Sequence, residues 1–306
     1  MDTKMFVRKA SGGYFCARDA SECPGRIFWV GSAVTAANDG GDGDNPEKPF
    51  ATLDYAIGKT TASASDTIFV LPGHTETLED NDELVMDVIS TRVFGLGIGT
   101  LRPTFTLSTA VDAQAVVTGA NCWLDNLVFV SNFEDQAAAI NASAAADGLH
   151  ITNCEFRDGG TDILELVTAI NIAAACDDVV IDGCRFFTTD AGSGTLAAIT
   201  FVGAATRPIV RNCFFRGDWN TAPILGTAAA GFDFLVENNY INNLDAAAGL
   251  AVSLNAGTTG AVVRNLAHGG LNATDPISAA GCLQAENYAT NAEAASGVLS
   301  PNADDL

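Results

Sequence analysis

The sequence predicts an all-β protein built as a parallel β-helix of about nine or ten coils. Three observations carry that expectation. A short motif recurs at near-regular spacing, asparagine or glycine holds one position in it, and apolar and polar residues alternate on both sides. The motif reads WLDNLVF (123–129), HITNCEF (150–156), VIDGCRF (180–186), IVRNCFF (209–215), LVENNYI (235–241), VVRNLAH (262–268) and QAENYAT (284–290). Its fourth positions are Asn126, Asn153, Gly183, Asn212, Asn238, Asn265 and Asn287, at intervals of 22–30 residues. Asparagine and glycine enter the left-handed backbone region most cheaply, so one sharp bend is expected per repeat.

The flanks of the bend define the coil. Two residues before it stand Leu124, Ile151, Ile181, Val210, Val236, Val263 and Ala285; immediately before it stand polar residues such as Asp125, Asp182 and Arg211. Just after it come Leu127, Cys154, Cys184, Cys213, Asn239, Leu266 and Tyr288, and three after it Phe129, Phe156, Phe186, Phe215 and Ile241, with His268 and Thr290 where the pattern decays. That is strand periodicity on either side of a corner. One coil cannot bury its apolar face alone, whereas stacked coils share a continuous core. Earlier coils are expected at Thr67–Leu71, Arg92–Ile98 and Ala115–Thr118, and the alanine-rich stretches 135–146 and 169–176 read as the long loops of their coils. No glycine-rich phosphate turn supports a layered α/β alternative.

Ahead of the coils lie FWVGSAVTAANDGGDGDNPEKPFATLDYAI (28–57) and DTIFVLPGHTET (66–77). Phe50, Leu53, Ala56 and Ile57 fall on one face of a short helix that Pro49 or Thr52 can begin. A helix there would close an otherwise open sheet edge. This segment resembles the lead-in of the pectate-lyase-like right-handed β-helix superfamily, with its P-F-x-T-[LI]-x-x-A-[IL] capping helix, matched by Pro49, Phe50, Thr52, Leu53, Ala56 and Ile57. The run through Gly73-His74-Thr75-Glu76-Thr77 also resembles β-helix proteins of tailed bacteriophages.

Composition narrows the function. With 37 acidic and 15 basic residues the net charge is −22, which repels nucleic-acid phosphate and anionic membrane surfaces alike. No run of apolar residues is long enough for a membrane helix, and the first residues lack a secretory leader, so synthesis and assembly in a cytosol are expected. Residues 1–60 carry seven of the basic groups, and no lysine follows Lys59. The expected organisation is an N-terminal arm (1–30), a lead-in strand, Gly/Asp loop and capping helix (31–65), the β-helix (66–290) and a C-terminal tail (291–306). Cys16 and Cys23 stand in the arm, and all eight cysteines are expected to be free thiols.

The phage resemblance implies a non-enzymatic virion part, a homotrimeric capsid-decoration or surface-projecting protein held to a capsid protein through residues 1–30, with a host-surface glycan as a further ligand. The alternative is a carbohydrate-active tailspike, lyase or hydrolase on the same fold. Resemblance to pectate lyases implies calcium, clustered aspartates and an arginine base. Resemblance to tailspike glycosidases implies two carboxylates flanking the scissile bond. The residues available for such chemistry are Asp158, Asp190 and Asp218 with Arg157 and Arg216, and Trp219 as a sugar platform. Asp39, Asp42 and Asp44 are the weaker candidates for a metal. No cofactor motif is present, and none is expected. Finally, the column three before the bend, containing Trp123, Val180, Ile209, Leu235 and Val262, should point outward and yet is apolar, the pattern of a subunit interface.

Overall fold

Each motif forms two short strands joined at a bend, and a third strand completes the coil. The computed structural model describes residues 9–10, 13–14, 25–160, 164–188, 195–247, 249–270 and 275–290. Cys16, Cys23, Asp190, the arm apart from residues 9–10, 13–14 and 25–30, and the whole tail 291–306 lie outside the described residues; Ile27–Val30, placed in the arm by the sequence, is instead the first strand of the first sheet.

Apart from a small antiparallel pair, Lys9–Ala10 with Gly13–Tyr14, every strand pairing is parallel. The first sheet has ten strands, from Ile27–Val30 to Cys282–Ala285; the second has nine, from Thr75–Leu78 to Tyr288–Thr290; the third has eight, from Val85–Met86 to Ile277–Ser278. Eight strands in the third sheet allow eight complete three-strand coils, fewer than the nine or ten expected. The difference lies at the ends, where strands of the first two sheets lack a third-sheet partner. The alanine-rich stretches, expected as long loops, contribute to third-sheet strands, Gln136–Ala142 and Leu166–Ile172, and only Asp135 and their last residues, 143–146 and 173–176, lie outside the strands. In these strands Ile140, Ile170, Ile199 and Ile224 stack in register as a fully buried ladder.

In-register stacking aligns like with like. Leu124, Ile151, Ile181, Val210, Val236 and Val262 form one fully buried ladder of the first sheet. Phe105, Phe129, Phe156, Phe186 and Phe215 form another in the second, with ring centroids 5.5, 5.4, 5.0 and 4.7 Å apart and nearly parallel planes. Offset stacking at this spacing adds to the energy of burial alone.

The bends fall where expected for five coils: φ is 58° at Asn126, 53° at Asn153, 67° at Gly183 and 54° at both Asn212 and Asn238. In the last two coils the left-handed residues are Arg264 and Glu286, and not Asn265 and Asn287. The two asparagines instead continue the column just inside the bend, held by Cys154, Cys184 and Cys213 earlier in the chain. Asn239 Nδ2 donates to Asn265 Oδ1 at 3.0 Å and Asn265 Nδ2 to Asn287 Oδ1 at 3.1 Å; each amide also donates to a backbone carbonyl of the preceding coil. These buried amides are satisfied along the stack, which is what burial of a polar group requires. Val262 is consequently inward and fully buried, so it leaves the proposed outward column; Ala261 pairs with Leu235 in its place, followed by Leu283.

Leu53–Ile57 is a single helical turn, with Leu53, Ala56 and Ile57 buried. Thr52 makes no side-chain cap bond; the Leu53 N–H donates to Glu76 Oε2 at 3.0 Å instead. The same oxygen lies 3.1 Å from Nε2 of the fully buried His74, whose Nδ1 accepts the Ser32 N–H at 3.0 Å. His74 is thus structural, tying the lead-in to the first coils.

Two outcomes follow from this architecture. Asn212→Val should lower stability by about 1–2 kcal/mol, because a β-branched residue resists the left-handed bend, whereas Asn212→Gly should lower it far less; equal denaturation midpoints would contradict the corner. Second, burial pushes the Cys154 thiol up to about 12, well above the value near 8.5 of an exposed thiol. Above pH ~8.5 the unfolded chain then loses a proton that the native state keeps. Stability should therefore fall as pH rises past that point, and Cys154→Ala should flatten the decline in a melting-temperature series.

Candidate functional site

On the second sheet, residues alternate strictly between the core and an outer face. Phe156, Phe186, Phe215, Ile241 and Ala267 point in and are buried; their neighbours on either side point out. Register places the outward residues in two columns. One runs Glu155, Arg185, Phe214, Tyr240, Leu266 and Tyr288. The other runs Arg157, Phe187, Arg216, Asn242 and His268. Successive members are about 4.8 Å apart, and the columns are separated by two residues of strand, about 6.6 Å.

The chemistry of this face differs from that of the whole molecule. Phe214 and Tyr240 stack at 5.0 Å with planes 4° apart, Phe187 lies 5.7 Å from Phe214, and the Arg185 guanidinium sits 5.9 Å from both phenylalanine rings. Tyr240, Leu266 and Tyr288 are 44%, 51% and 54% exposed, a continuous apolar ridge of the kind monomers seldom leave unused. Arg157, Arg185 and Arg216 are exposed beside it. Glu155 is the one carboxylate of the two columns, and it is already engaged: Arg102 Nη1 donates to it at 3.1 Å and Arg157 Nη1 lies 3.5 Å away. Arg102 is itself anchored by Nη2 bonds to the carbonyls of Leu127 and Asn153. The face is locally cationic on a chain of net charge −22.

Of the residues singled out in the sequence, Arg157 and Arg216 are brought to this face, two coils apart with Phe187 between them. The carboxylates are not. Asp158 and Asp218 are buried, and they occupy different columns, because Phe187 pairs with both Arg157 and Arg216 and this places Gly217, not Asp218, over Thr188. Asp158 Oδ1 accepts the Leu166 N–H at 3.4 Å, so the carboxylate organises the chain's passage to the third sheet. Trp219 is no sugar platform: it is 2% exposed and packs edge-on against Phe215.

Asp39 is occupied as well. Its Oδ1 accepts the N–H groups of Ala51 and Thr52 at 2.7 and 3.1 Å, and Oδ2 accepts the Thr52 hydroxyl at 3.0 Å, while Asp42 and Asp44 point to solvent. Among the described residues no group of three or more His, Cys, Asp or Glu is placed to hold a metal. Calcium takes six or more oxygen ligands. The calcium implied by resemblance to pectate lyases therefore does not fit the described residues.

Comparison with known proteins fits this architecture. No family model matches the chain, and no curated protein matches it in sequence. Among solved structures, a pectate lyase, Pel9A, matches with a TM-score of 0.53 at 14% identity, covering 91% of this chain and 84% of its own. A rhamnogalacturonan lyase matches with a TM-score of 0.48 at 13% identity over 87% of this chain and 74% of its own. A GH136 lacto-N-biosidase from Eubacterium ramulus gives 0.36 at 11% identity over 87% and 68%. The chain shares the parallel β-helix fold of the pectate lyase. The expectation of a non-enzymatic protein is corrected to this extent: the solved structure that shares the fold is a lyase, and at 14% identity the likeness shows the fold and no activity of this chain.

The ridge residues Arg185, Phe187, Phe214 and Tyr240 were not singled out in the sequence, and Leu266, His268 and Tyr288 were read there only as members of the columns after the bend. The signal of Arg185, Phe187, Phe214 and Tyr240 was present, as aromatic and basic residues one or three places after Cys184, Cys213 and Asn239, on the polar side of the alternation.

Proposed function

We propose that the protein is an enzyme that cleaves an acidic polysaccharide laid along the outer face of the second sheet, parallel to the coil axis. The single observation that carries this reading is the pair of adjacent columns, with Arg157, Phe187 and Arg216 beside Arg185, Phe214 and Tyr240. The guanidinium groups suit the carboxylates of a uronate chain, because their planar donor fork matches a carboxylate. The aromatic ridge suits the C–H faces of sugar rings. Arginines on three successive strands, alternating between columns, match a chain whose acidic groups alternate sides at about the coil spacing. In the same reading the coils are right-handed, and the helix Leu53–Ile57 caps the N-terminal end of the prism.

Arg216→Ala and Phe214→Ala should each weaken binding to a soluble polyuronate by about tenfold or more, with the arginine effect shrinking at high salt. Affinity electrophoresis against polygalacturonate, alginate and a neutral glucan measures this, and a viscosity drop reports cleavage. Binding to the neutral glucan alone, or wild-type affinity in both variants, would contradict the assignment.

A further inference from the structure

The first sheet alternates as the second does. Phe28, Val30, Ile68, Val70 and Val93 point into the core, while Trp29, Phe69 and Phe94 point out in one column. Their ring centroids lie 5.2 and 6.0 Å apart along the stack, and Trp123 on the next strand meets Phe94 edge-on at 5.2 Å. Although outward, the three rings are only 2%, 2% and 3% exposed. The burial stops with the row: the same column continues as Asp125, Thr152, Asp182, Arg211 and Glu237, all half-buried. Ile27, Leu71, Leu96 and Trp123 flank the row and pack against it. Such neighbours cover ring edges, but the outer ring faces are hidden only by something laid across the sheet. Trp29, Arg92, Phe94 and Trp123 each make an interaction besides these ring contacts.

We propose that residues 1–24 of the same chain fold back over this aromatic row and seal it. Place and reach agree. Ile27–Val30 is the edge strand of the first sheet and carries Trp29, so the arm joins the fold beside the first ring of the row. The row crosses four strands, about 14 Å, and an extended segment of that length reaches about 80 Å. Composition agrees as well: Phe6, Val7, Tyr14 and Phe15 give the arm apolar groups to bury. Within the arm, Lys9–Ala10 and Gly13–Tyr14 pair as a hairpin of two-residue strands. A hairpin that short is marginal in water and needs a surface to pack on, and the row lies where the arm enters. An apolar row of this size is seldom left wet by a monomer, so the two needs are met together. In this reading the arm is held by its own β-helix and not extended toward a virion partner, and the row is a packing surface and not a second sugar platform.

Hydrogen exchange read by mass spectrometry on the full chain tests this. In the wild type, amides of residues 4–18 should exchange more slowly than in an unstructured peptide by about tenfold or more, at every protein concentration. Phe94→Glu puts a charge under the arm and should return those amides to the unstructured rate, with exchange in the second sheet unchanged. Phe6→Asp combined with Phe15→Asp leaves every β-helix residue in place, and so serves if Phe94→Glu does not fold. It should release the arm equally and shift tryptophan emission to the red, since Trp29 and Trp123 then meet water while Trp219 stays buried. Wild-type exchange at the unstructured rate, or slow exchange kept in either folded variant, would overturn the proposal. Slow exchange that sets in only as protein concentration rises would mean that a second copy covers the row, and would overturn it too.

Discussion

Everything in this molecule depends on parallel, in-register hydrogen bonding from each coil to the next. Once a strand pairs with its counterpart one coil away, its side chains have no freedom to choose neighbours, since each stands about 4.8 Å above its equivalent. The inward positions must therefore hold residues that stack on copies of themselves. Isoleucine and valine do so through branched surfaces, phenylalanine through offset rings, and asparagine through an amide that donates to the next amide and to a carbonyl. Register is protected because a slip by one residue would exchange the core set for the solvent set.

The same constraint makes an outer face into a binding surface. Residues that point outward on successive strands form columns with the spacing of the coil, without any loop to position them. Rigid strands hold such groups better than loops do. On the second sheet the columns gather arginine and aromatic side chains, and the half-buried Arg102 supports Glu155 at the head of one of them. Charge follows a similar division: Asp182–Arg211, at the strand ends beside the bend, and Asp178–Arg207, outside the strands, link adjacent coils at 2.8 and 2.6 Å. Such exposed pairs contribute little stability.

Much of the fold was legible from residues 120–240, because there the asparagine sits at the bend and the phenylalanine ladder runs unbroken. The reading slipped at a definable place. Asn238 and Asn239 are adjacent, the first at the bend and the second just inside it. From that point the ladder inside the bend is asparagine, while the bend itself passes to Arg264 and Glu286. Matching asparagine to asparagine then shifts the last two coils by one residue. That one shift sends Val262 outward and puts His268 in the phenylalanine column, where Ala267 belongs. The site was less legible than the fold. Acidic residues beside arginine draw attention in a sequence, yet Asp158 and Asp218 are buried, Asp158 accepting the Leu166 N–H, and only the three-dimensional register reveals that Arg157, Phe187 and Arg216 share a column. The alanine-rich strands were missed for a related reason: alanine has a low strand propensity, and in-register pairing with the neighbouring strands of the same sheet outweighs it.

The most direct measurement is a crystal structure with an acidic oligosaccharide of six sugars soaked or co-crystallised. The account places the chain along the outer face of the second sheet, its axis parallel to the stack, with carboxylates against Arg185 and Arg216 and sugar rings against Phe214 and Tyr240. An oligosaccharide ordered on the first or third sheet, or at the loops, with the second-sheet face left empty, would contradict it.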